Sequence, residues 1–112
     1  MPTTAERLGF PADAKLLIVN GDDIGMCHAA NVATVEGLRR GILTSASLMV
    51  PCPWALEAAN LIDGLDVGVH LTLTAEWRTY RWGPLTAVAR DPKSGLVDPE
   101  GFAPPRGGPT GF

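Results

Sequence analysis

The 112-residue sequence lacks several features that mark particular classes of protein. It has no run of lysine or arginine residues and a formal net charge of -3, which argues against nucleic acid as its main partner. No apolar segment approaches the ~20 residues needed to cross a bilayer, so we expect no membrane partner. The start, MPTTAER, lacks the basic and then apolar order of a secretion signal. We therefore expect a cytoplasmic protein.

Cysteine and histidine are scarce, with two residues of each. Cys27 and Cys52 form no Cys-x-x-Cys pair, so we expect two free thiols in a reducing compartment. Together with His28 and His70 they have the atom types that bind zinc but no recognised ligand spacing, and this site remains an alternative. The sequence also lacks the Gly-x-Gly-x-x-Gly motif of a Rossmann fold and the alternating oxygen ligands of an EF-hand.

The most informative stretch that is present has the sequence LLIVNGDDIG and covers residues 16–25. Its apolar start, residues 16–19, predicts a strand that is buried on both faces. Asp22 and Asp23 follow between two glycines. Because α/β proteins place their chemistry at the carboxyl ends of strands, this pair is a candidate metal or acid–base site. The alternative is a solvated turn.

The chain then alternates between helical and strand-like patterns. The predicted elements are a helix at about 29–40, a strand at 42–50, a helix at about 54–62 and a strand at about 66–73. Gly41 is the expected end of the first helix. The order of strands and helices indicates a parallel βαβαβ unit of the α/β class over residues 15–74, after a frayed lead-in over residues 1–14.

The last predicted strand contains a histidine on a face of small and hydroxylated residues. Its two faces are Val67, Val69, Leu71 and Leu73 on one side, and Gly68, His70, Thr72 and Thr74 on the other. We expect the apolar face to pack against covering helices. The other face then presents His70 to a pocket, which makes it a candidate ligand or catalytic residue, with a structural histidine as the alternative.

Residues 75–112 are rich in proline and glycine and show no clear periodicity. Trp77, Tyr80 and Trp82 cluster there with Arg81. Such rings can stack on the apolar faces of a sugar while polar groups bind its hydroxyls. We therefore predict a substrate-side loop and tail, with a loop that its aromatic residues pin to the core as the alternative.

Five stretches together resemble the YdjC-like carbohydrate deacetylases, also called the ChbG/HpnK type. They are LLIVNGDDIG (16–25), GILTSASLMV (41–50), VGVHLTLT (67–74), EWRTYRWGPL (76–85) and GLVDPEGF (95–102). The resemblance covers almost everything from residue 15 to about residue 104. It implies a TIM-like (β/α) barrel and a hydrolase that removes N-acetyl groups from acetylated amino sugars or oligosaccharides.

The resemblance also implies a divalent metal ion, magnesium or zinc. Asp23 and His70 match the family's metal ligands, and Asp22 matches the general base that acts on the attacking water. A metal ion polarises the acetamide and lowers the pKa of its bound water, and a neighbouring carboxylate accepts the proton. His28 has no role in the family pattern.

The chain also departs from the family pattern. The family's later Thr-His-x-Asp-x-His-like motif, which supplies the remaining metal ligand, is absent from the sequence. A TIM barrel needs about 250 residues, so we expect the truncated N-terminal part of one. Three parallel strands with open edges predict that the chain associates with itself as a homo-oligomer or needs further sequence. The alternative function is a catalytically inactive remnant or carbohydrate-binding fragment.

Overall fold

A computed structural model describes residues 1–75, 77 and 79–105 as a small α/β domain. Its helices and strands, in chain order, are α1 (Thr4–Arg7), β1 (Asn20–Ile24), α2 (His28–Arg40), β2 (Ser45–Leu48), α3 (Ala55–Leu61), β3 (Val67–Val69) and α4 (Ala87–Arg90). A short 3₁₀ helix follows at Pro92–Ser94. None of the described helices is long and apolar enough to cross a membrane.

The sheet has three parallel strands in the order β1-β2-β3. Helix α2 connects the first pair and helix α3 the second, so the predicted alternation of strands and helices is confirmed. Helix α2 ends at Arg40, and Gly41 is its C-cap, as the sequence predicts. The main core lies between the two helices and the sheet, and its buried members are Ile24, Val35, Ala46 and Ala58.

The first strand does not lie where the apolar run predicts it. Leu17 and Ile18 are both 78% exposed, so the predicted strand over residues 16–19, buried on both faces, is wrong. A strand needs a paired neighbour, and β2 begins at Ser45, which is level with Asn20. Strand β1 therefore begins at Asn20, and the aspartate pair lies within the strand rather than after it.

The third strand is shorter than predicted, and its apolar face is open. It covers only Val67–Val69, because its partner β2 ends at Leu48, whose carbonyl accepts the last hydrogen bond, from the His70 amide. Leu71 and Leu73 are 85% and 79% exposed, and Val69 is also exposed. The prediction that the apolar face packs against covering helices is wrong for these three side chains, whereas Val67 packs against the main core.

The segments on either side of this unit also have local order. The lead-in contains α1, which begins with a capping box between Thr3 and Glu6, so it is not frayed throughout. Beyond β3, a second buried cluster joins the later segment to the sheet unit, and its members are Met49, Cys52, Ala75, Trp82 and Ala103. Both cysteines are free, as predicted.

Residues 106–112 of the predicted tail lie outside the described residues.

Candidate active site

The two aspartates and the later histidine meet at one edge of the sheet. Asp22 and Asp23 lie near the carboxyl end of β1, and His70 directly follows β3. Because parallel strands end on the same side, the sheet brings these residues together: Asp23 Oδ1 lies 3.8 Å from His70 Nδ1. All three line a cleft of about 430 Å³, which Trp77 also borders.

Asp22 is held in place by two hydrogen bonds to the same carboxylate oxygen. Its Oδ1 accepts from Ser47 Oγ at 2.9 Å and from Asn20 Nδ2 at 2.7 Å. Asn20 is oriented in turn by Ser45, whose hydroxyl donates to the Asn20 amide oxygen at 2.7 Å. Within the described residues, no hydrogen bond reaches Asp22 Oδ2. This second oxygen can therefore accept a proton at the cleft.

Ser47 also decides the proton arrangement on His70. Its Oγ lies 3.1 Å from His70 Nδ1 and has a single hydrogen to donate. An ionised Asp22 can only accept, so that hydrogen goes to Asp22 and His70 Nδ1–H donates to Ser47. The neutral ring then keeps its lone pair on Nε2, the other nitrogen, which can bind a cation.

The backbone at Asp23 is strained. Its φ of 65° lies in the left-handed region, and it is the one residue other than glycine with positive φ in the described part of the chain. Such a conformation costs roughly 1–3 kcal/mol and persists only where surrounding contacts enforce it. The next turn continues through Gly25 at φ 97°. Strain of this kind is often concentrated at functional sites, which agrees with a functional role for Asp23.

Two acid groups in or against the second buried cluster have raised pKa values. Burial raises the pKa of the Cys52 thiol to about 11. Burial also raises the pKa of the Tyr80 hydroxyl to about 12. Both groups therefore stay protonated near neutral pH, and Cys52 is a buried thiol rather than a thiolate nucleophile.

The predicted substrate-binding aromatic residues occupy different environments. Trp77 and Trp82 both line the cleft, but Trp77 is 42% exposed, whereas Trp82 is 3% exposed and belongs to the second buried cluster. Tyr80 is half-buried and donates its hydroxyl hydrogen to the Met26 carbonyl. The three rings touch edge to face, with centroids 5.9–6.1 Å apart. Tyr80 and Trp82 thus pin the loop to the domain, while Trp77 is available at the cleft.

Arg81 is not among the residues that line the cleft. Its guanidinium forms ion pairs with Asp98 and with Glu100, the latter at 2.6 Å, and lies 4.5 Å from the centroid of the Phe102 ring. These contacts tie the segment around residue 100 to the loop. A role of Arg81 in substrate binding stays a prediction.

Two side chains at this edge of the sheet are possible metal ligands. Asp23 and His70 would supply two of the three protein ligands usual in catalytic zinc sites, although the 3.8 Å distance joins Asp23 to His70 Nδ1 and not to Nε2. Among the residues that the structure describes, no group of three or more histidine, cysteine or acidic side chains could hold a metal ion. The alternative cysteine–histidine set is therefore not assembled, and His28 instead contacts Glu57 at 2.7 Å.

Sequence reasoning missed Asn20, Ser45 and Ser47 as members of the site. The signal was present in β2, where Ser45 and Ser47 are two residues apart and so point to the same face. Asn20 and Asp22 show the same spacing in β1, and Asn20 pairs with Ser45 in the parallel register. Recognising these residues required that register, which the apolar run at residues 16–19 obscured.

Comparisons with known proteins identify similar sequences. The model of the family described as YdjC-like protein matches residues 16–108. A carbohydrate deacetylase of Thermus thermophilus is 44% identical over 82 residues, which are 72% of this chain and 27% of that protein. A chitooligosaccharide deacetylase of Yersinia enterocolitica is 40% identical over 91 residues, or 78% of this chain and 31% of that protein. The chain thus spans less than a third of the length of these curated relatives.

Proposed function

The chain belongs to the YdjC-like protein family, and on that premise we propose that it hydrolyses N-acetyl groups of acetylated amino sugars or oligosaccharides in a metal-dependent reaction. The names of its relatives, carbohydrate deacetylase and chitooligosaccharide deacetylase, support this reaction class. The observation that carries the proposal is the approach of Asp23 to His70 within 3.8 Å, beside an oriented Asp22 on the same cleft.

Asp22 is the proposed general base. Hydrolysis adds water to the acetamide carbonyl carbon and breaks the C–N bond, giving acetate and the free amine. Asp22 Oδ2 accepts a proton from the attacking water, while Ser47 and Asn20 hold Oδ1 and so fix the carboxylate. A fixed carboxylate needs no reorientation when the proton moves.

Asp23 and His70 are the proposed ligands of a magnesium or zinc ion. Such an ion polarises the acetamide oxygen and lowers the pKa of a bound water molecule. The contact between Ser47 and His70 Nδ1 keeps the imidazole oriented and leaves Nε2 as the ligand nitrogen. Trp77 offers an exposed ring at the cleft against which a sugar face can stack.

We further propose that the three strands are the first strands of a TIM-like barrel. Strands β1 and β3 form the two edges of the described sheet. The exposed Leu71 and Leu73 lie beyond β3 and would be covered by further barrel or by a second copy of the chain. We therefore expect the isolated chain to self-associate in sedimentation experiments, whereas a monomer with a high, cooperative melting transition would contradict this.

The test is acetate release from N,N′-diacetylchitobiose with Mg²⁺ or Zn²⁺ added. We expect metal-dependent release that Asp22→Asn lowers by about 10²–10⁴-fold, the usual contribution of a general base. Asp13→Asn is the matched control, since Asp13 is exposed and does not line the cleft. Release that continues unchanged in Asp22→Asn would refute the assignment. Binding of the sugar without release under either metal would favour the carbohydrate-binding fragment.

A further inference from the structure

A buried amide side chain connects the turn after β1 to both helices. Asn31 on α2 is fully buried, and its Oδ1 accepts the Gly25 amide hydrogen at 2.6 Å. Its Nδ2 donates to the Trp54 carbonyl at 3.1 Å and to Glu57 Oε2 at 2.7 Å. All of these groups lie outside the set that contacts the cleft.

The turn that Asn31 holds is the strained one. Backbone bonds fix residues 23–25 at three points: Met26 N to Asp23 O, Met49 N to Ile24 O and Trp54 N to Gly25 O. In the described part of the chain, Asn31 is the one side chain that hydrogen-bonds this backbone. Since a left-handed Asp23 persists only under surrounding constraint, the bond to Gly25 is part of what maintains it.

Glu57 acts with the Trp54 carbonyl and the Gly25 amide to fix which way the Asn31 amide points. A carboxylate and a carbonyl can only accept, so the Asn31 NH₂ group must face Glu57 and Trp54, and its oxygen must face Gly25. A flipped amide would set its oxygen against two acceptors and its NH₂ against the Gly25 donor. Glu57 is held from its other side by His28 at 2.7 Å.

We propose that Asn31, oriented by Glu57, is a positioning residue that holds Asp23 in the conformation the site requires. The inference rests on the proposed function only for the role of Asp23, because the hydrogen-bond network itself is independent of any reaction. Asn31 contacts neither substrate nor reacting atoms and acts through the backbone of the turn.

Residual dipolar couplings of the amides of residues 23–25, measured by NMR on the full chain, test the proposal. Glu57→Ala removes the acceptor and should shift these couplings beyond measurement error, whereas those of β2 stay unchanged. Glu57→Gln is the matched control, since its amide oxygen still accepts from Asn31, and it should keep the wild-type values. The wild type should also show a scalar coupling across the hydrogen bond between Gly25 N and the Asn31 side-chain carbonyl.

A reciprocal pair separates positioning from general support of the fold. Asn31→Asp places a second carboxylate against Glu57 and should displace the turn. Combining it with Glu57→Gln supplies a new donor in place of Glu57, but the Trp54 carbonyl still faces a carboxylate oxygen, so the couplings should return only part of the way to the wild-type values. Unchanged couplings at residues 23–25 in Glu57→Ala would overturn the proposal, as would changes spread equally over both helices and β2. Acetate release does not enter this measurement, so a failure of the proposed deacetylation is distinguishable from a failure of the positioning role.

Discussion

Replacing Gly25 with alanine tests whether close packing around the turn after β1 holds the site together. A Cβ atom at this position would lie 2.9 Å from Leu48 Cδ1, 3.1 Å from the Met49 carbonyl oxygen and 3.3 Å from Ala55 Cα. Two of these atoms are backbone, so they cannot rotate away as a side chain can. The φ of 97° adds strain for any residue with a side chain.

The expected magnitude has two parts. Placing alanine in a left-handed conformation costs about 1–2 kcal/mol. Inserting a methyl group into a packed site costs about 1–3 kcal/mol more. Gly64→Ala is the matched control, because Gly64 has a φ of 72° but nothing within 4 Å of its Cβ position. It should therefore show the first cost without the second.

Urea unfolding followed by tryptophan fluorescence measures both variants against the wild type. We expect Gly25→Ala to lose about 1–3 kcal/mol more of the free energy of unfolding than Gly64→Ala. That is a large share of the roughly 5–15 kcal/mol typical of a domain. Equal losses in the two variants would show that the turn can relax, and would refute the argument that packing around Gly25 fixes it.

Three further predictions concern Ser47, Tyr80 and Cys52. Ser47→Ala removes the hydroxyl that connects Asp22 to His70, so we expect it to lower kcat for acetate release by about tenfold, equivalent to about 1.4 kcal/mol. Ser94→Ala is the exposed control. An unchanged kcat in Ser47→Ala would contradict the role of Ser47. Tyr80, the single tyrosine, should ionise near its raised pKa of about 12 in absorbance titrations. Because the unfolded chain releases that proton near pH 10, stability should fall between about pH 10 and 12, and ionisation of the native protein near pH 10 would contradict this. Cys52 is buried and has a pKa of about 11, so it should resist iodoacetamide at pH 8 in the native state and react after denaturation. Mass spectrometry would measure the labelling. Rapid labelling of the native protein would contradict the burial of Cys52.

The α/β class and the parallel order were predictable because they follow from local patterns. Both helices form where their sequences predict them, and Gly41 is the C-cap of the first. The buried residues of that helix are Asn31, Thr34 and Val35. Val32 and Leu56 are exposed, so apolar spacing located the helices but not their buried faces. Hydrophobicity alone misplaced the first strand, since Leu17 and Ile18 are apolar but find no pairing partner in the described chain. Strand bounds depend on where the neighbour begins and ends, which is not a local property.

The site residues also divide into those that the sequence indicates and those that only the folded structure shows. Asp22, Asp23 and His70 were identified from the sequence, because carboxylates and a histidine after apolar strands are a chemical signal. Ser47 and Asn31 carry no comparable chemical signal, as serine and asparagine are common in strands and helices. Their roles depend on contacts with residues distant in the sequence: Ser47 and His70 are separated by 23 positions, and Asn31 and Glu57 by 26.

The sequence by itself therefore determined the family, the alternation of strands and helices, and the acidic and histidine side chains at the strand ends. Only the tertiary structure decided that Asp23 Oδ1 and His70 Nδ1 lie 3.8 Å apart, that Trp77 is exposed while Trp82 is buried, and that Arg81 pairs with acidic side chains. The physical reason is that periodicity and residue type act along the chain. Register, burial and hydrogen-bond partners are set by segments that meet only when the chain folds.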